Sequence, residues 1–503
     1  IPGYRELALL HAQDGELEAA LRISELARDR ALGDRFAEQA WRRNWVPAGE
    51  RGRLDGLIER VQALDERIAV ATDLVDRVRL ESERTLAVAE RGRLERSLRA
   101  DLHLPPPDFR PATLDELRNR LAPGTALVSM THSGESWWAL VVRRGVEARY
   151  VAFSDTELGR LAAAWTRQLR GDPVRVWPTA GGRVTVQAAR PPDATGGMLS
   201  AEAIAARLSQ GLMGPLASAL GGDRHLVFVG DDDLVGVPLQ ALPMGNGWVL
   251  DGFDISYAPS LATYARWQTP AARAPHPRDL LAIGAIDFPA IPPPSTADPV
   301  QAGLWHAGLH PLPFARVEID ALAALFAPAR RSAWVGEAAR KDRLHRASAS
   351  GELAQYRYVH FATHAWAQAR KPEGSAIALA GATPQAPARG VLTAAELAGL
   401  RMASDLIVLS ACDTGWGEFE HGRGLLGLAY GSLAAGNRAA LLSIWPVADD
   451  TTSLFMRSFY GRLRRGREPS AALAQTQREF QRSKDARLAD PLVWAPFLMY
   501  GGY

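Results

Sequence analysis

Cysteine is almost absent: the 503 residues include one, Cys412. That excludes an intrachain disulfide framework and any cysteine-based zinc cluster. Lysine is nearly absent too. Only Lys341, Lys371 and Lys484 occur, so almost all positive charge is arginine, a bias that fits GC-rich bacterial coding more than a function. The charges nearly cancel, to +2, which gives no bias toward polyanions. No apolar run approaches the ~18 residues of a membrane span, and no secretory leader is visible. No G-x-x-x-x-G-K-[ST] loop is present, which argues against a nucleotide hydrolase. What remains is an ordinary globular composition, 47% hydrophobic and 23% charged, in a length that allows roughly two to four domains. A cytosolic location is expected. The first residue is Ile1 and not Met, as in a trimmed or processed chain.

The lone cysteine closes the stretch Leu406-Ile-Val-Leu-Ser-Ala-Cys412, an apolar run that turns small and polar, followed by Asp413-Thr-Gly415. Such a run predicts a fully buried strand of a parallel sheet. Open α/β sheets place their chemistry at the carboxyl ends of such strands, so Cys412 is a candidate nucleophile. A second run, Tyr358-Val-His-Phe-Ala-Thr-His364, predicts another buried strand and ends in an imidazole, 412 − 364 = 48 residues upstream. Between them Leu392–Leu400 has a helix pattern that Thr393 is placed to cap. Strand, crossover helix and parallel strand would bring both ends to one sheet edge. A neighbouring His converts a thiol near pKa 8.5 to a thiolate. By residue type alone a bland reading stays open: a lone Cys is also a small buried hydrophobe, and a strand-end His is also a hydrogen-bonded core group.

The chain carries several further motifs in order. They are His360-Phe-Ala-Thr-His-Ala365, Asp405 to Gly415, Gly422-Arg-Gly-Leu-Leu-Gly-Leu428, Ser443-Ile-Trp-Pro-Val-Ala-Asp-Asp450, Phe459-Tyr460, Trp494-Ala-Pro-Phe497 and Gly501. On these motifs residues 110 to 503 resemble the CHAT-type caspase-like cysteine peptidases, a family often joined to tetratricopeptide repeats. The resemblance implies that His364 is the base and Cys412 the nucleophile, and the spacing is similar to that of caspases. It implies an oxyanion hole made by the backbone N–H groups of Ala365 and Cys412. The family usually has Gly where this chain has Ala365; the change matters only if that position needs φ > 0.

The expected fold class is α/β: a caspase-like, mostly parallel sheet sandwiched by helices, with a pseudo-peptidase front half and an all-α N-terminal region. The boundaries are 1–104 helical, 110–268 front half and 278–503 catalytic half. Tyr4 to Gln13 and Leu17 to Arg30, separated by Asp14-Gly15, read as a helical hairpin similar to a tetratricopeptide repeat. Leu54, Leu57, Val61, Leu64, Ile68, Ala71, Val75 and Val78 step by three and four, the seam of one long helix or a hairpin. In the front half, strands are predicted at 126–130, 136–142, 146–153, 225–230 and 248–257, helices at 155–170 and 201–220, and an irregular stretch over 171–198. Asp231-Asp-Asp233 is either a cation-attracting cluster or an acidic turn.

Asp287 and Asp413 are candidate S1 residues that would favour Arg or Lys at P1, while Trp366, Trp416 and Trp445 would suit an apolar pocket. No cofactor and no metal are expected, and no nucleic-acid or membrane site. The resemblance suggests a protein substrate and an activating or regulatory protein partner at the N-terminal helices (a sensor, an adaptor or a CRISPR effector) in a bacterial defence or cell-death setting. The other class left open is a catalytically silent scaffold that binds a partner through its helices.

Overall fold

The computed structural model describes residues 2–26, 28, 73–101, 112–169, 176–178, 184–186, 198–267, 275–288, 309, 312–368, 372–382, 387–410, 423–445, 447 and 449–502, and within 50–68 residues 50, 52–54, 56–57, 60–61, 64 and 67–68. Two compact units result. One joins Ile1–Leu32 to Pro111–Tyr503, and the other is Gly33–Arg110.

The larger unit is built on one eleven-stranded sheet. In chain order its strands are β1 (Thr125–Ser133), β2 (Ser136–Arg143), β3 (Val146–Phe153), β4 (His225–Val229), β5 (Asp254–Tyr257), β6 (Arg278–Gly284), β7 (Arg331–Val335), β8 (Tyr356–Ala362), β9 (Leu406–Leu409), β10 (Ala439–Ser443) and β11 (Phe497–Gly501). Across the sheet they run β7-β6-β8-β9-β10-β11-β5-β4-β1-β2-β3. Seven of the ten neighbouring pairs are parallel, so the sheet is mostly parallel. The antiparallel pairs are β10 with β11 and the meander β1-β2-β3. Strands covered on both faces need apolar residues at every position, and β9, β10 and β11 are buried throughout. The edge strand β3 is instead mixed, as a half-solvated strand should be.

β11 joins the two halves. Phe497–Gly501 pairs antiparallel with β10, and Tyr500 pairs with Tyr257 of β5. Side chains fasten the same seam. The Gln240 amide donates to the Ala495 carbonyl at 2.6 Å. Arg478, on the helix Pro469–Gln481, donates to the carbonyls of Leu250 and Phe253 at 2.8 and 3.0 Å and pairs with Asp254 at 2.7 Å.

Helices flank the sheet. Ala201–Leu220 begins on a Ser200 cap and matches its predicted span. Pro2–Gln13 and a helix over 17–26 form a hairpin whose turn uses Gly15 at φ +81°. Its Ala8, Ala12, Ala20 and Leu21 share a core with Leu117, Leu127 and Trp138. Glu25, fully buried there, accepts the Ala262 N–H at 2.9 Å.

Three local expectations need correction, and the choice between one long helix and a hairpin along the seam is decided for the hairpin. Residues 248–257 do not form one strand. The Asp251 carboxylate accepts the Trp248 N–H at 2.9 Å and starts a single helical turn, Val249–Gly252, before β5. The helix expected over 392–400 begins only at Ala394, because Val391–Thr393 is a strand of a small sheet with Ala365–Trp366 and Ala376–Ala378. Thr393 does cap it, in a full capping box with Glu396. Within 171–198, Val176–Pro178 pairs with Val184–Val186. In the smaller unit Val61, Leu64 and Ile68 cluster with Leu80 and Ala87 of the helix Leu74–Asp101, so that stretch folds back on itself and leaves Val78 of the expected seam exposed.

Candidate functional site

β8 and β9 are adjacent and parallel, with Tyr358 opposite Leu406 and Phe361 opposite Leu409. The register offset is therefore 409 − 361 = 48 residues. His364 follows the end of β8, and its side chain is buried. The turn that carries it is held from one side by Ala378: the Ala378 N–H donates to the His364 carbonyl and the Thr363 hydroxyl donates to the Ala378 carbonyl, both at 2.8 Å. From another side the Phe288 ring meets the imidazole edge-on, with centroids 5.3 Å apart.

Phe288 reaches that place because β6 ends in an unusual turn. Gly284 has φ +147°, and a Cβ there would lie 1.9 Å from the Ala362 carbonyl oxygen. The next residue, Ala285, sits at φ +47°, and its N–H donates to that same carbonyl at 3.1 Å. A side-chain-bearing residue in the left-handed region is strained, and such strain concentrates at functional loops. Just past β9, Ser410 donates its N–H to the Phe361 carbonyl at 2.9 Å. Its hydroxyl is buried, with no hydrogen-bond partner among the described residues.

Of the residues singled out from sequence, His364 and Ala365 lie together at the carboxyl end of β8. Cys412 and Asp413 lie outside the described residues, as does Trp416. Ala365 is not at positive φ, since Asp232 and Ala285 are the only such non-glycine residues among those described, so its Cβ costs no backbone strain there. Asp287 is exposed, one residue before Phe288. Trp366 is buried beside Ala365, but Trp445 belongs to the core, its indole N–H donating to the Leu492 carbonyl. Sequence reasoning missed Gly284, Ala285 and Phe288; the one signal was the Gly within an otherwise strand-like run.

The glycine motif after the candidate nucleophile has a packing reason. On the helix Arg423–Ala434, a Cβ at Gly427 would lie 1.9 Å from the Pro372 carbonyl oxygen and one at Gly431 would lie 2.5 Å from that of Ala394. Behind the site, buried His360 of β8 has Nε2 2.8 Å from Glu318 Oε1 and Nδ1 3.2 Å from the Tyr460 hydroxyl. The acidic run of the front half is structural. Asp231 and Asp232 each take one nitrogen of the Arg5 guanidinium, at 2.7 and 2.8 Å, and Asp232 also lies 3.1 Å from His132 Nδ1. Among the described residues no group of His, Cys, Asp or Glu is placed to hold a metal ion, and no helix is long and apolar enough to cross a membrane.

The fold and this strand-end histidine define an α/β protein with its candidate chemistry at the carboxyl edge of a parallel sheet. Comparison of the sequence with known families makes the class specific: the CHAT domain profile matches residues 202–502, and the chain belongs to the CHAT domain family. Tetratricopeptide repeat protein 28 of Mus musculus is 35% identical over 111 residues, and its Homo sapiens counterpart 32%. Each match takes in 22% of this chain, which spans only 4% of the length of these relatives. Among solved structures, the Saccharomyces cerevisiae separase–securin complex aligns over 77% of this chain and 30% of that chain, with 10% identity and a TM-score of 0.44.

Proposed function

We propose that this chain is a caspase-like cysteine endopeptidase with Cys412 as nucleophile and His364 as base. One observation carries the reading. The offset between paired residues of β8 and β9 is 48, and the same 48 residues separate His364 from Cys412. That register, carried past Leu409, would set the two side chains beside each other, suited to act on one bond.

In the proposed reaction His364 takes the thiol proton and the thiolate attacks a peptide carbonyl. The tetrahedral oxyanion is held by the backbone N–H groups of Ala365 and Cys412, where loss of one donor typically costs about 10²–10³ in rate. Its collapse breaks the peptide C–N bond, the amine leaves with the proton from His364, and a thioester remains. Water, deprotonated by His364, then frees the acid and the thiol. Asp287, exposed next to Phe288, supplies negative charge for a basic P1 residue, with Asp413 as the second candidate. An activating protein partner at the N-terminal helices, in the cytoplasm of a bacterium defending itself, completes the proposal.

The test is digestion of a diverse peptide library by the wild type, Cys412→Ala and His364→Ala. Cleavage by the wild type alone supports the dyad. Undiminished cleavage by either variant refutes it.

A further inference from the structure

The amino ends of β8 and β9, opposite to His364, frame a cavity of about 110 Å³. It is lined by Arg357 and Tyr358 of β8, Asp405 just before β9, Arg438, Arg467 and Glu468. Pro469, the first residue of the thirteen-residue helix Pro469–Gln481, also lines it. A site for one water needs about 10–15 Å³ on this measure, so the cavity admits a tetrahedral oxyanion, but not a nucleotide. A larger hollow of about 520 Å³ shares Arg357 and Tyr358 as its wall and is also lined by Phe326 and Arg464.

The charges point to an anion. Asp405 is already taken, by Arg357 at 2.9 Å, with Arg438 at 3.9 Å and His276 at 3.7 Å. Arg467, exposed at the mouth, has no ion-pair partner among the described residues. Tyr358 is 2% exposed, and its hydroxyl has no hydrogen-bond partner among the described residues. Burial raises its pKa to about 12, so it stays a neutral O–H donor at physiological pH. Glu468, at the mouth, is the one opposing carboxylate without a cation of its own. Guanidinium groups and a phenol converging on a small cavity form a donor set that recognises phosphate.

We propose that this cavity binds a phosphate group, held by Arg438, Arg467 and the Tyr358 hydroxyl. The site is separate from the candidate dyad and does not rest on the peptidase reading.

The experiment is a thermal-shift titration of the full chain with sodium phosphate, with sodium chloride at matched ionic strength as reference, since stabilisation by a specific ligand grows as ln(1 + [L]/Kd). The expected result is a rise in midpoint with phosphate beyond that with chloride. Arg467→Ala should weaken the apparent affinity about tenfold, the effect of losing one charge-assisted contact. Glu468→Gln should tighten it, and Arg465→Ala, outside the lining, should leave it unchanged. Both Arg467 and Glu468 are exposed, so neither change endangers folding. A second arm uses phenyl phosphate: tighter binding than inorganic phosphate assigns an ester whose body enters the larger hollow, and equal or weaker binding assigns the free ion. Equal shifts with phosphate and chloride, or an unchanged response in Arg467→Ala, overturn the proposal.

Discussion

Replacing Gly284 with alanine is the most demanding test of the turn that positions His364. The added Cβ would lie 1.9 Å from the Ala362 carbonyl oxygen, 2.6 Å from its carbon and 3.1 Å from its Cα, all of them backbone atoms of the last residue of β8, two before His364. An ordinary Cβ contact begins at 3.4 Å, so the two strands must separate by about 1.5 Å or the chain must leave φ +147°. Overpacking of this kind typically costs about 1–3 kcal/mol, and holding a side-chain-bearing residue in a glycine conformation costs about 1–3 kcal/mol more. Together Gly284→Ala should lose about 2–6 kcal/mol, read as a lower urea midpoint with an unchanged slope. The control is Gly461→Ala, in the helix Asp449–Arg464, where the nearest atom to a new Cβ is the tip of Arg465 at 3.8 Å. That change should stabilise by about 0.5–1 kcal/mol through lost backbone freedom. If Gly284→Ala unfolds at or above the wild-type midpoint, the close approach of β6 to β8 is wrong, and with it the account of how Phe288 reaches the imidazole.

Three further outcomes are expected. Phe288→Ala should lower kcat on a cleaved peptide by about ten- to a hundredfold with little change in KM, because freeing a positioned imidazole misplaces it by a fraction of an ångström or more; Phe288→Leu should recover part of the loss, and a change confined to KM would contradict a positioning role. His225 is held to a pKa of about 4, chiefly by burial, with Asp254 opposing. The folded protein then binds the proton less readily than the unfolded chain, so stability is full above about pH 6.5 and falls as pH drops toward 4, by up to about 3 kcal/mol; His225→Gln should flatten that stretch of the urea-midpoint curve, and an unchanged slope would refute the cause. Arg5→Ala removes both ion pairs to Asp231 and Asp232, so the amide protons of the helix Pro2–Gln13 should exchange faster while those of β4 stay protected, and equal exchange in both proteins would show that the contact does not hold the helix.

Much of the C-terminal half was readable in the sequence because parallel strands buried on both faces leave unbroken apolar runs. β8 and β9 were each recognised from such a run, and their adjacency from the single crossover helix expected between them. Signals that depend on one carboxylate were less readable. Asp251 turns an apolar stretch into a helical turn by capping a single N–H, and nothing in the periodicity announces that. β11 was recognised as a motif and not as a strand, since its five residues end in a glycine and its two neighbours come from opposite halves of the sequence. His364 was legible from its place after a run. The Phe288 ring against it was not, because the turn that delivers it is fixed by a contact between two strands some eighty residues apart.

The central place of β11 has a consequence for synthesis. β11 is the sixth of eleven strands across the sheet, yet it is the last to be made. β5 is complete at Tyr257, and the partner that covers its free side is complete only at Gly501, 501 − 257 = 244 residues later. At about 5–20 residues per second, the ribosome needs about 12–50 s to supply it. Through that interval β5 and then β10 each present an unpaired edge, open to pairing with another nascent chain. A growing polypeptide therefore cannot close the sheet before Gly501 has emerged, and chaperone demand should concentrate in that window.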